Sequence, residues 1–407
     1  MSTRTSCRVC ESKIESFMSF GQMPIANGFI QESQFSEEYF FELAPAFCEN
    51  CLALQLVEQP HPEQMFHENY AFFSRQSKHM IDHFKTYAHY VEKNFLKDKN
   101  DLVVEIGSND GIMIENFYKK GFKHLGVDPS RNVAQVAAER GIHTKVCFFN
   151  RDTSDEIKQE FGNAAAIISA NVMCHLPDLN DVAFAAYDLL TDDGVLIFED
   201  PYLGDMLSKV SYDQLYDEHV YIFSALSVEN IFGRSGFEII DLLPQNTHGG
   251  SMRYVLAKKG RRPVSKNVYE IKEKEKLMNI NQYSTYIDFK KNCEHSKNRI
   301  RSILEAESEA GKSVAGYGAT SKSTTILNYC NIGPDLLSFI SDTTPIKQNK
   351  FTPGMHIPVK SYEYFCENLT DKVMIFAWNH ASEILEKEKD KISKNQWITH
   401  LPFHDPF

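Results

Sequence analysis

The stretch Asp101-Leu-Val-Val-Glu-Ile-Gly-Ser-Asn-Asp-Gly111 decides the fold. Its first half is a short apolar run, the pattern of a strand buried on both faces. Its second half is a turn in which Gly107 and Gly111 permit tight geometry and close approach of backbone to a ligand. A helix is predicted directly after it, over Ile112–Tyr118. Strand, glycine turn and helix in that order open a doubly wound α/β sheet, whose ligand lies beyond the carboxyl ends of its strands. The spacing is acidic-x-Gly-x-x-x-Gly, with Asn109 where a dinucleotide fingerprint has its middle glycine. Leu125-Gly-Val-Asp128-Pro129 then puts an acid at the end of a second strand, where ribose hydroxyls are held.

Working outward, Lys123–Asp128, Ala165–Ala170 and Gly194–Glu199 are further short apolar runs, and they alternate with helix-like segments. Ser265–Ala310 is highly charged with apolar residues at helical spacing, which predicts one or two linking helices. Strand-like runs resume at Ser313–Tyr317, Leu336–Ile340 and Lys372–Ala377. The 407 residues exceed one ordinary core. Three domains are expected: residues 1–72, 73–263 and 264–407. The net charge of −12 argues against a nucleic-acid partner. Mean hydropathy is −0.37, no apolar run suits a membrane span, and the first residues do not form a signal peptide. A cytoplasmic protein, monomeric or homodimeric, is expected.

Nine cysteines include two Cys-x-x-Cys pairs, Cys7-Arg-Val-Cys10 and Cys48-Glu-Asn-Cys51. Each pair can aim two sulfurs at one ion, and two pairs complete a closed tetrahedral zinc site of structural type. The odd count argues against a disulfide framework.

Two polar stretches carry candidate chemistry. Ser169-Ala-Asn-Val-Met-Cys-His175 follows a buried strand, and Tyr216-Asp-Glu-His219 places a histidine beside a carboxylate and near a phenol, a general-base grouping. Later, Ser313-Val-Ala-Gly-Tyr-Gly-Ala-Thr-Ser-Lys322 reads as strand, glycine turn and helix start, a nearly complete dinucleotide fingerprint. A nicotinamide-dependent sugar-nucleotide oxidoreductase or epimerase is therefore a rival reading. A non-catalytic zinc-bearing interaction protein is a third, weakened by the intact acidic and glycine elements.

The whole chain resembles bacterial nucleotide-sugar C-methyltransferases. The resemblance rests on the four cysteines, Glu105-Ile-Gly-Ser-Asn-Asp-Gly111, Tyr216-Asp-Glu-His219 and Thr247-His-Gly-Gly-Ser-Met-Arg253. It continues through Gly316-Tyr-Gly-Ala-x-x-Lys322, Pro353-Gly-x-x-Ile-Pro358 and Ala377-Trp-Asn379. It implies a class I methyltransferase core, Rossmann-like, with a small N-terminal zinc domain and a C-terminal Rossmann-like α/β domain. Implied cofactors are S-adenosylmethionine and zinc. The implied substrate is a dTDP- or GDP-linked 4-keto-deoxysugar, methylated next to the ketone with C-3 favoured, although the family includes enzymes for other ring positions.

In residues, the resemblance makes His219 the base, flanked by Tyr216 and Glu218, with His175 and Tyr70 in the same pocket. Glu105, Gly107, Ser108, Asn109, Gly111, Asp128, Pro129 and Asn171 are expected at the cofactor. His248, Gly249, Arg253, Lys322, Lys347, Trp378 and Asn379 are expected at the substrate. Two stretches depart from the family pattern: Thr344-Pro-Ile-Lys-Gln-Asn349 for Asn-Pro-x-Lys-Gln-Gly, and Ala319-Thr-Ser-Lys322 for Ala-Pro-x-Lys. Their basic positions are kept.

Overall fold

A computed structural model describes residues 4–61 and 78–402. The segment carrying Tyr70 lies outside them, so the expectation for that residue has no structural counterpart here. Among the described residues there are four sheets. No helix among them is long and apolar enough to cross a membrane.

The N-terminal unit is built on short strands: β1 (Gln22–Pro24) pairs with β2 (Phe40–Glu42), and β3 (Pro45–Phe47) with β4 (Leu54–Leu56). So little sheet cannot bury a core alone. Phe47 stacks on Tyr286 of the long helix Tyr283–Glu309 at 4.1 Å between ring centres, and Phe20 lies against Tyr329 at 4.8 Å. The aromatic residues of this unit thus share one buried cluster with the C-terminal lobe.

The central sheet contains β5 (Leu102–Ile106), β6 (His124–Val127), β7 (Thr144–Lys145), β8 (Ala164–Ala170) and β9 (Leu190–Pro201). It is completed by β11 (Phe237–Gln245) and β12 (Ser251–Lys258), in the order β11-β12-β9-β8-β5-β6-β7. Strands β5 to β9 run parallel, and β12 is antiparallel to both of its neighbours. The chain goes from β5 outward to β7, then returns to β8 on the other side of β5. The crevice at that reversal is where the sheet binds ligands, and Gly107 and Asn171 stand at its two edges.

The predicted helix after the first glycine turn is shorter than expected, Glu115–Lys119. The preceding residues are a turn that Glu105 holds by accepting Ile114 N–H at 2.8 Å. The charged linker forms two helices, Lys266–Leu277 and Tyr283–Glu309. The C-terminal lobe is a second open sheet, all parallel, of β13 (Val314–Tyr317), β14 (Ile340–Ser341), β15 (Val359–Lys360), β16 (Lys372–Ile375) and β17 (Trp397–Ile398). Its order, β15-β14-β13-β16-β17, reverses between β13 and β16. A small strand, β10 (Tyr221–Ile222), belongs to neither large sheet and pairs with β4 of the N-terminal unit.

Candidate active site

Both reversal points open onto one cavity of about 300 Å³. From the central sheet come Gly107, Asn109, Asp128, Pro129 and Asn171; from the C-terminal sheet come Thr320, Ser321, Lys322, Asn379 and His380. His175, Tyr216, Glu218, His219 and His248 line it between them.

At the central sheet, the Asp128 carboxylate accepts Asn109 N–H and Ser130 N–H, each at 2.8 Å. Those bonds hold both oxygens at the crevice, while burial leaves the carboxyl raised above its ordinary value. Gly107 has φ +71° and a Cβ there would come within 2.2 Å of Val172. Its glycine is thus required by the turn and by the neighbouring loop together. An exposed aromatic ring, Phe148, borders the same end of the cavity. This crevice fits a nucleoside with a charged amino-acid tail, and Asp128, Asn109, Gly107 and Asn171 would hold it.

The remaining residues expected at the cofactor stand behind the wall. Ser108 is buried beneath Gly126. Gly111 packs on Ile142, which a Cβ would meet at 2.4 Å, and Glu105 bonds the turn as described.

The histidine segment is held by backbone. His219 Nδ1–H donates to Gln214 O at 2.6 Å, which leaves the Nε2 lone pair to accept Tyr216 O–H at 2.8 Å. A carbonyl that fixes the tautomer in this way directs the basic nitrogen. Burial pushes His219 well below its ordinary value, with the nearby His175 adding to the shift, so the ring is neutral. The ordinary value is 6.5, and desolvation makes the difference. The His175 and His219 rings lie 5.3 Å apart, and burial pushes His175 down to about 4. Burial raises Glu218 to about 7, against the lowering effect of its bond from Asn27.

The substrate-side residues divide. Lys322 donates to His248 O at 3.0 Å, and burial pushes it down to about 8. It lies in the first turn of the helix Ser321–Tyr329, whose N-terminus faces the cavity. Two buried polar atoms on this wall, His248 Nε2 and Gln214 Oε1, have no hydrogen-bond partner among the described residues, a placement suited to a polar ligand.

Arg253, Lys347, Trp378 and Gly249 do not line the cavity. Arg253 is committed to Glu199 through two bonds, of 3.1 and 2.9 Å. Lys347 donates to Ala319 O at 2.8 Å and so fixes the turn after β13. Trp378 donates to Asp213 at 2.7 Å, and its ring fills the space above Gly249. Sequence reading missed Asn27, Phe84, Phe148, Gln214, Thr320 and Ser321 on the wall. Thr320 and Ser321 lie inside the glycine-turn stretch that ends at Lys322, where only the lysine was singled out; the other four sit in no motif that carries chemistry by itself.

The four N-terminal cysteines converge. Cys7 Sγ and Cys51 Sγ are 3.5 Å apart, as are Cys10 Sγ and Cys48 Sγ, and all four sulfurs lie within 4.8 Å. Gln55 donates to Cys7 Sγ at 3.0 Å, and Val9 N–H at 3.4 Å. Such donors support metal-bound thiolates, and the set fits a closed zinc site.

Comparison with known proteins gives matches along the chain. Residues 7–66 match a family described as a zinc binding domain, and residues 78–242 one described as a methyltransferase domain. Residues 246–402 match a family described as a C-methyltransferase C-terminal domain. The C-methyltransferase NovU of Streptomyces niveus is 33% identical over 97% of this chain and 95% of that protein. Among solved structures, an S-adenosylmethionine-dependent methyltransferase from Anabaena variabilis aligns over 47% of this chain and 100% of its own, at 16% identity and TM-score 0.33. The magnesium protoporphyrin IX methyltransferase of Synechocystis with bound SAH covers 44% of this chain and 83% of its own, at 16% identity and TM-score 0.34.

The nicotinamide reading of Gly316–Lys322 finds no support in these matches. The turn also has its own structural reason: a Cβ on Gly318 would meet Ala377 at 2.9 Å, so this glycine serves contact between neighbouring strand ends.

Proposed function

The chain belongs to the S-adenosylmethionine-dependent C-methyltransferases, and from that membership we propose that it methylates C-3 of a 4-keto-deoxysugar nucleotide. The observation that carries this reading is His219, a neutral imidazole with its basic nitrogen fixed toward a cavity that two nucleotide-type crevices share. Carbon becomes a nucleophile once a proton leaves, and a neighbouring ketone lets that charge spread onto oxygen.

His219 Nε2 takes the proton from the carbon beside the ketone, and Tyr216 O–H, its present partner, turns from the ring to the developing oxygen. Lys322 supplies positive charge at the wall, where a dry site strengthens it. When bound in the central crevice, S-adenosylmethionine supplies an electrophilic methyl group held in line with that carbon. On the opposite side, the N-terminus of helix Ser321–Tyr329 and Lys322 suit a nucleotide diphosphate, dTDP or GDP. Asn379 and His248 face the sugar.

The test is His219→Ala. S-adenosylhomocysteine affinity by calorimetry should stay within about threefold, since the ring bonds Gln214 and Tyr216 and neither bond goes to the turn after β5. Methylation and solvent-deuterium uptake at the acceptor carbon should both fall by at least ~10²-fold. Undiminished exchange in this variant would assign the base to another residue.

A further inference from the structure

We infer that Asn27 is a positioning residue of the reaction, holding the Glu218 carboxylate in place, so that the zinc-bearing unit completes the active site. The inference rests on the proposed reading of Tyr216–His219 as the reacting segment, in which the ionised Glu218 flanks the base His219 and orients it or handles its proton.

Asn27 Nδ2 donates to Glu218 Oε1 at 2.9 Å, and Asn27 itself lines the cavity. Its neighbour Ala26 is tied on both sides. Ala26 N–H donates to Asp217 Oδ1 at 3.0 Å, and Ala26 O accepts from Thr324 Oγ1 of the C-terminal lobe at 2.8 Å. The loop after β1 is therefore wedged between the histidine segment and the helix that starts at Ser321.

A second tie lies just past the histidine. Strand β10 pairs with β4, with Tyr221 opposite Gln55, and Leu56 N–H donates to Val220 O at 2.9 Å. Gln55 is the residue that donates to Cys7 Sγ. The segment Asp217–Ile222 is thus gripped at both ends by the cysteine-bearing unit. At the near end the grip acts directly on a side chain in the cavity.

Several groups face Glu218. Asp217 is beside it, Tyr216 and His219 share its cavity, Cys174 approaches from the loop after β8, and Lys347 comes from the C-terminal lobe. Asn27 donates to Glu218 from the cysteine-bearing unit, and that bond favours the charged carboxylate. Removing it should make Glu218 harder to ionise.

The experiment uses the full zinc-loaded chain with glutamate labelled at the side-chain carboxyl carbon, the Glu218 signal being assigned by its loss in Glu218→Gln. In Asn27→Ala the Glu218 titration should move up by about one pH unit, the scale of a lost bond to a charged group. The acidic limb of kcat/KM should move up with it, while zinc content and S-adenosylhomocysteine affinity stay unchanged. The isosteric Asn27→Asp covers the case in which the smaller side chain perturbs folding, and it should shift both readouts the same way. A Glu218 titration that stays put in both variants overturns the inference. A titration that moves while the rate limb stays would instead sink Glu218 as a reacting group, leaving Asn27 a structural tie.

Discussion

Asp200 shows how burial sets chemistry at a single residue. It lies next to last in β9 with no exposure, and burial raises its carboxyl to about 8, the neighbouring Cys174 lowering it in part. A carboxyl whose folded value lies above its unfolded one binds its proton more tightly in the native state. Its contribution to stability is therefore present below about pH 4 and is lost as pH rises toward 8. Asp200→Asn keeps the shape and removes the titration. Thermal melts at pH 5 and pH 8 should show a smaller drop for this variant than for the unmodified chain, by a few °C. Equal drops would mean that Asp200 is ionised throughout. Glu199, one residue earlier, goes the other way: burial would raise it, but His83 and Arg253 hold it below the ordinary range. Adjacent carboxylates thus differ because only one has cationic partners.

At the scale of elements, the turn after β5 was legible and its mechanism only partly so. The apolar run, the two glycines and Asp128 are local signals, and β5, β6, β8 and β9 overlap the runs read from the pattern, whereas of Leu336–Ile340 only Ile340 is strand. The roles of the glycines are long-range. Gly107 is constrained by Val172 from the loop after β8, and Gly111 by Ile142, so neither contact is visible in the stretch itself. Gly107→Ala forces both a positive φ and a 2.2 Å approach to Val172. S-adenosylhomocysteine affinity by calorimetry should fall by at least ~10-fold, as a displaced turn also displaces Asn109 N–H from Asp128. Unchanged affinity would remove this turn from the cofactor site. Arg253 shows the converse. Its motif neighbours His248 and Gly249 pointed to the substrate, yet it lies on β12 facing Glu199, and strand register decides that. Asn27 gave no sequence signal because it reaches its partner across 191 positions of chain.

For the molecule as a whole, three units meet at one cavity, and the sequence shows why they must be joined. The central sheet supplies a class I methyltransferase crevice. The C-terminal sheet repeats the architecture, and its reversal point faces the first. The cysteine-bearing unit is too small for its own core and packs its aromatics onto the linker helix and the C-terminal lobe. Order along the chain and the kind of each unit could be read from the residues. Their mutual placement could not, because it depends on side chains such as Phe20, Phe47 and Tyr286 that look like ordinary core in the sequence. On the proposed reading of function, the base, the methyl donor and the ketone would come together only where all three units meet. The direct test is to incubate the zinc-loaded chain with S-adenosylmethionine carrying a ¹³C-labelled methyl and a panel of dTDP- and GDP-linked 4-keto-deoxysugars, and to locate the label in the product by NMR. The account predicts a new carbon–carbon bond at the ring carbon beside the ketone, C-3. Label on an oxygen, or no transfer to any 4-keto sugar while transfer occurs to another class of acceptor, would contradict it.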